Sequence, residues 1–189
     1  MRRALVAAVA LGWVVLLSSC ALLSPGSIRD DSKQQSDVAM QHIADAVKNH
    51  DAAALKKLFS PVAREKATDL DSGVKYFLSL FPSGRMTWQS EGTGSGGINE
   101  YGKKTVELFA NYEVFADGKK YGLYFADFTV NQVEDPNNIG LYALAVAPHN
   151  AQPYTKPTAS SKAFNAWAGQ FENVNGKTSG NPGVYVPQK

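Results

Sequence analysis

Cysteine is the scarcest side chain in this 189-residue chain: there is one, Cys20. A single thiol excludes an internal disulfide framework and any multi-cysteine zinc site. Histidine is nearly as rare. His42, His50 and His149 show no metal-ligand spacing and have no carboxylate cluster beside them, so no metal is expected. His42 reads as solvated on a helix flank, and His50 as a helix C-terminal residue whose charge would suit the dipole. Charge of one sign is missing too. Lys and Arg number 19 against 17 Asp and Glu, and Arg2 and Arg3 account for the excess of two. Beyond residue 19 the balance is neutral and no basic stripe stands out, which argues against nucleic acid as a partner. No internal repeat is present.

Long apolar runs are also absent, with one exception. Ala4 to Leu17 is apolar but for Gly12, follows Arg2 and Arg3, and leads through Ser18 and Ser19 to Cys20. A basic start, an apolar middle and small residues at a cleavage point make a secretory signal. Leu17-Ser18-Ser19-Cys20 resembles the lipobox of bacterial lipoproteins. The resemblance implies that residues 1–19 are removed and that the Cys20 thiol carries a diacylglyceryl group. The mature chain would then sit on the extracytoplasmic face of the cell membrane, held by its lipid. An uncleaved anchor is the alternative, since Ala4 to Leu23 approaches the roughly 20 apolar residues that a span needs. Ser18, Ser19 and Cys20 interrupt that run where a lipobox places them. Residues 20–32, with Pro25, Gly26 and several polar groups, read as a flexible tether of about 20 Å reach.

The rest divides into a domain over 33–150 and a C-terminal extension over 151–189. Ser32 to His50 carries Ala39, Ile43, Ala46 and Val47 at helical spacing. Asp51 caps a second helix with Leu55, Leu58 and Phe59, and Pro61 opens another turn. A further helix spans about Asp69 to Phe81. The pattern then alternates. Arg85 to Glu91 is a strand, Gly92 to Gly97 a glycine-rich turn, Lys104 to Ala116 a second strand, and Asp117-Gly118 a two-residue hairpin turn into Tyr121–Val130. Ile139 to Ala147 is the last clear strand. Helices followed by a meander predict an α+β domain, with N-terminal helices packed on an antiparallel sheet. Phe164, Trp167 and Phe171 fall at helical spacing within 160–171, and the tail from Asn173 reads as loose.

The run from Ala46 to Ser60, with its Lys48-Asn49-His50-Asp51 corner and terminal Leu58-Phe59 pair, resembles the opening of the nuclear transport factor 2-like superfamily. The later aromatic hairpin fits as well. With the lipobox, the chain is similar to bacterial lipoproteins grouped as a domain of unknown function. The resemblance implies a curved sheet wrapped around helices into a cone whose mouth is the usual site. It leaves activity open, because fold does not fix function.

Candidate site residues follow from the hairpin. If Asp117-Gly118 is the turn, Leu108 faces Asp127, Ala110 faces Phe125 and Tyr112 faces Leu123. Asp127 then points among apolar groups, where desolvation raises a carboxyl's pKa and makes it a general base in waiting. Tyr76, Trp88 and Tyr112 are the aromatic candidates for a ligand pocket with Asp127, although aromatics at such positions commonly serve the core. Gly92-Thr93-Gly94-Ser95-Gly96-Gly97 matches G-x-G-x-x-G, but no helix starts behind it, so no nucleotide or other cofactor is expected. Phe109, Phe115, Tyr124 and Phe128 share the opposite sheet face with Glu107, Asn111 and Glu113. Either the Phe164–Phe171 segment or a second copy, in a homodimer through the sheet, would cover them. Together these readings favour a non-catalytic module for a small apolar ligand or an envelope protein. The rival is an isomerase- or dehydratase-like enzyme using Asp127 with Tyr112 or a histidine.

Overall fold

The computed structural model describes residues 31–148, 171–173 and 182–187. The Cys20 signal, most of the tether and residues 160–170 of the expected C-terminal helix lie outside the described residues. Helices come first: α1 (Ser32–Lys48), α2 (Ala52–Leu58), α3 (Pro61–Lys66) and α4 (Leu70–Ser79). Each break has a local cause. His50 adopts a left-handed φ of 48° after α1, and the Asp51 carboxylate accepts from the Ala54 N–H at 2.8 Å to start α2. Ser60 Oγ accepts from the Ala63 N–H at 3.0 Å, with Pro61 at the first position of α3. Asp69 caps α4 in the same way, accepting from the Ser72 N–H.

Six strands follow among the described residues: β1 (Thr87–Glu100), β2 (Lys103–Ala116), β3 (Lys119–Asn131), β4 (Gly140–Pro148), β5 (Phe171–Asn173) and β6 (Gly183–Pro187). They form one open sheet in the order β1-β2-β3-β4-β6-β5. Every pairing is antiparallel except β4 with β6. The expected α+β class is therefore observed. So is the central register: Leu108 pairs with Asp127, Ala110 with Phe125 and Tyr112 with Leu123. Asp117 and Gly118 have φ of 50° and 73°, the positive pair that a two-residue turn between twisted strands requires.

Two expectations are corrected. Gly92–Gly97 is not a turn. It continues β1, paired from Gly92 against Asn111 to Gly97 against Val106, after a bulge between Ser90 and Gly92. A Cβ on Gly97 would lie 2.7 Å from the Thr105 carbonyl oxygen, so glycine lets the two backbones close up. The hairpin turns instead at Tyr101-Gly102, again with two positive φ values. The tail is likewise not wholly loose. β6 pairs in parallel with β4 from Ala143–Gly183 to Ala145–Tyr185, and Val184 packs into the core.

The main core lies between the helices and one sheet face. Met40, Ile43, Val47, Leu55, Phe59, Phe77 and Phe81 meet Tyr112, Val114, Leu123, Phe125 and Leu144, all almost fully buried. Tyr112 stacks on Phe125 at 5.9 Å between ring centroids, and Phe81 meets Tyr121 edge-on at 5.4 Å. On the other face Phe109, Tyr124, Ala126, Ala143, Ala145, Ala147 and Tyr185 form a second buried cluster. Of the outer-face aromatics, Phe109 and Tyr124 are buried in this cluster, while Phe115 stays exposed beneath the Lys120 ammonium.

Candidate functional site

One stripe of α1 lies beside the core, with Ala39 packed against it and the rest exposed. Gln34, Gln35, Val38, Ala39 and His42 recur every three or four residues and, with Asp31, form one wall of a cavity of about 610 Å³. Leu58 closes the α2 side, and Asp127, Thr129, Val130 and Leu141 come from the sheet. A volume of this size matches the common range for small-molecule sites.

Two bulges shape the sheet side. Between Val106 and Glu107 the pairing of β2 with β3 slips, leaving Thr129 as the extra residue. Between Ala126 and Asp127 the pairing of β3 with β4 slips, leaving Tyr142 as the extra residue. The first puts Thr129 and Val130 together on the cavity. The second sends Tyr142 to the outer face, where it meets Phe128 edge-on at 5.6 Å, and keeps Leu141 beside Asp127. Bulges commonly re-aim side chains in this way. The corner after α2 fixes the far wall. The Ser60 N–H donates to the Leu141 carbonyl at 2.9 Å, and the Ser60 hydroxyl bonds Asn138. Gly140 holds a φ of +117°, and a Cβ there would be 2.7 Å from the Leu58 carbonyl oxygen.

Asp127 is the chemically distinctive group. Desolvation pushes its carboxyl up to about 6. No hydrogen bond or ion pair reaches it among the described residues, and the cavity lining contains no lysine or arginine. His42 and Asp31 are the other ionisable groups on the same lining.

The remaining sequence candidates are not brought together here. Tyr112 is fully buried, and its hydroxyl donates to Asp37 Oδ1 at 2.9 Å; burial first, then Asp37, drives its pKa upward. The Lys33 ammonium bonded to Asp37 at 2.6 Å leads in holding that carboxyl below its usual value; burial opposes it, and the Tyr112 hydroxyl adds a smaller lowering. Trp88 is half-buried against the main core. Tyr76 stands on the surface of α4 with 38% of its area exposed. None of the three lines the cavity. The residues that sequence reasoning missed are the α1 stripe and Leu141. Gln34, Val38 and His42 at four-residue intervals were the available signal, masked by their polar look. On the outer face Glu107 is a second perturbed carboxyl, pushed up to about 7 by burial and then by Glu134.

Among the described residues no three His, Cys, Asp or Glu side chains cluster to hold a metal, and no helix is long and apolar enough to cross a membrane. The family described as Domain of unknown function (DUF5104) matches residues 42–152, more than half of the chain. No curated protein and no solved structure matches it.

Proposed function

The chain belongs to the DUF5104 family, and from that premise we propose that it is a membrane-anchored, extracytoplasmic module that binds a small ligand in the cavity between α1 and the sheet. The observation that carries this is the α1 stripe. Gln34, Val38 and His42 face an open volume instead of packing, across from Asp127 and Leu141. These side chains are exposed, yet they stand over a recess whose other walls come from α2 and the sheet.

The anchor in this reading is a lipid on Cys20, and the fold is a nuclear transport factor 2-like cone with α1 crossing its mouth. A mostly antiparallel sheet with helices packed on one face supports that architecture. The tether ends at Asp31, which is itself on the cavity rim. The site would therefore lie within about 20 Å of the bilayer. Mass spectrometry of the mature N-terminus tests the anchor: a diacylglyceryl Cys20 is expected, and a processed, membrane-bound Cys20→Ala form would refute it. Thermal-shift screening of the purified chain against small apolar and amphiphilic compounds tests the binding. At least one stabilising compound is expected, with the stabilisation lost in Val38→Trp, which fills the cavity. A broad screen without a hit defeats the reading.

The second reading, an acid–base enzyme, keeps one supporting observation: Asp127 and His42 share a cavity. The pairing of Asp127 with Tyr112 is set aside, because the Tyr112 hydroxyl is engaged by Asp37. Hydrogen–deuterium exchange at the α-carbon of simple ketones, followed by proton NMR, distinguishes the two. Exchange that vanishes in both Asp127→Asn and His42→Gln would favour the enzyme.

A further inference from the structure

Asp127 sits at the sheet side of a recess lined by both apolar and polar groups. Val38, Ala39, Leu58, Val130 and Leu141 are the apolar part of that lining, Leu141 paired directly with Asp127, and the lining holds no lysine or arginine. Desolvating a carboxylate without a partner is costly, and the group answers by holding its proton. The missing partner is thus a positive charge, and the cavity is open to one from outside. We propose that the ligand is an organic cation: an ammonium group seated against Asp127, with an apolar body lying along Val38, Leu58 and Leu141.

This assignment rests on the binding role proposed above and names its ligand class. The other ionisable groups on the lining are both on α1. Asp31 at the rim favours a cation, and charge on His42 would oppose one. From α2, β3 and β4 the lining offers only Leu58, Thr129, Val130 and Leu141 besides Asp127. The Thr129 hydroxyl, which donates weakly to the Val106 carbonyl at 3.5 Å, and the amides of Gln34 and Gln35 supply neutral hydrogen-bond partners. An ammonium ligand restores the ionised carboxyl, so binding releases the proton that Asp127 holds below pH 6.

A matched set of probes tests the idea: 4-phenylbutylammonium, the neutral 4-phenylbutanol and the anionic 4-phenylbutyrate. Each is titrated into the purified full-length chain by calorimetry. At pH 7.5 the ammonium should bind about 10- to 100-fold more tightly than the alcohol, the range expected of a charge-assisted hydrogen bond in a desolvated site. Between pH 7.5 and pH 5 its affinity should fall about tenfold, as the ionised fraction of Asp127 falls, while the alcohol's stays flat. Asp127→Asn should bring the ammonium down to the alcohol's affinity, with a cooperative thermal melt showing that the variant is folded. His42→Gln should keep the preference for the ammonium. Equal affinity for ammonium and alcohol, or tighter binding of the butyrate, overturns the cation assignment and leaves the binding role standing. Binding of none of the three at millimolar concentration overturns the binding role itself.

Discussion

The Tyr112 hydroxyl donates to Asp37 Oδ1 at 2.9 Å, joining β2 to the second turn of α1. It adds a polar tie to the apolar packing of Met40, Ile43 and Val47 that holds α1 on the sheet. Tyr112→Phe removes the bond and keeps the ring stacked on Phe125. The expected loss is about 1–2 kcal/mol, the net worth of a hydrogen bond to a charged group at a half-exposed position. Urea unfolding should show a lower midpoint at unchanged slope.

Asp127 makes stability fall as pH rises. Its carboxyl is raised from 3.8 to about 6 in the folded chain, so between those values the folded state holds more protons than the unfolded one. Below about pH 4 the group is neutral in both states and costs nothing; above about pH 6 the folded chain carries the full penalty of the buried charge, about 2–3 kcal/mol. Asp127→Asn should therefore raise the melting temperature by several degrees at pH 8 and leave it near wild type at pH 4. Calorimetric melting at the two pH values reads this directly, and a variant destabilised at both would contradict it.

Gly73 is where α4 meets β6. A Cβ there would lie 2.7 Å from the Val184 Cβ, too close for any real pair. Alanine improves helix propensity by about 1 kcal/mol, but the overpacking costs about 1–3 kcal/mol. We expect Gly73→Ala to be destabilising overall, with faster amide exchange at residues 183–187 than elsewhere. Adding Val184→Ala should recover part of the loss, and the double-mutant cycle should show coupling of the two sites.

Gly140→Ala tests the far wall of the cavity. The position combines a φ of +117° with a Cβ that would meet the Leu58 carbonyl oxygen at 2.7 Å. Strain and clash together should cost at least 2 kcal/mol, roughly the upper part of the range for a disfavoured backbone state. Any ligand found by thermal shift should also bind less tightly to this variant, because Leu58 and Leu141 would move apart.

The order of helices and strands was legible because each switch has a short-range signal. Asp51, Ser60 and Asp69 mark helix starts, and Asp117-Gly118 set the β2–β3 register to within one residue as far as Asp127. That register alone was enough to aim Asp127 inward. The bulges were not legible, since an extra residue in a strand is decided by pairing across the sheet. Without them Leu141 and Thr129 could not be placed beside Asp127. Gly92–Gly97 misled because glycine usually signals a turn, whereas at the sheet's edge it lets β1 run close against β2. The α1 wall was hidden for the opposite reason: Gln34, Gln35 and His42 look like a solvated stripe, and only the sheet opposite turns that stripe into a cavity.

β6 is the strand whose pairing is parallel and comes from far along the sequence, with Val184 filling the hollow above Gly73. Antiparallel neighbours joined by two-residue turns close small loops and form early, whereas such a distant parallel match closes a large one and forms late. The helices and the β1–β4 meander would then assemble as a unit while the β4 edge waits for its partner. During that interval the exposed β4 edge is open to wrong partners of similar sequence, the usual hazard of an unpaired strand. The speed with which residues 183–187 arrive would therefore govern the yield of folded protein.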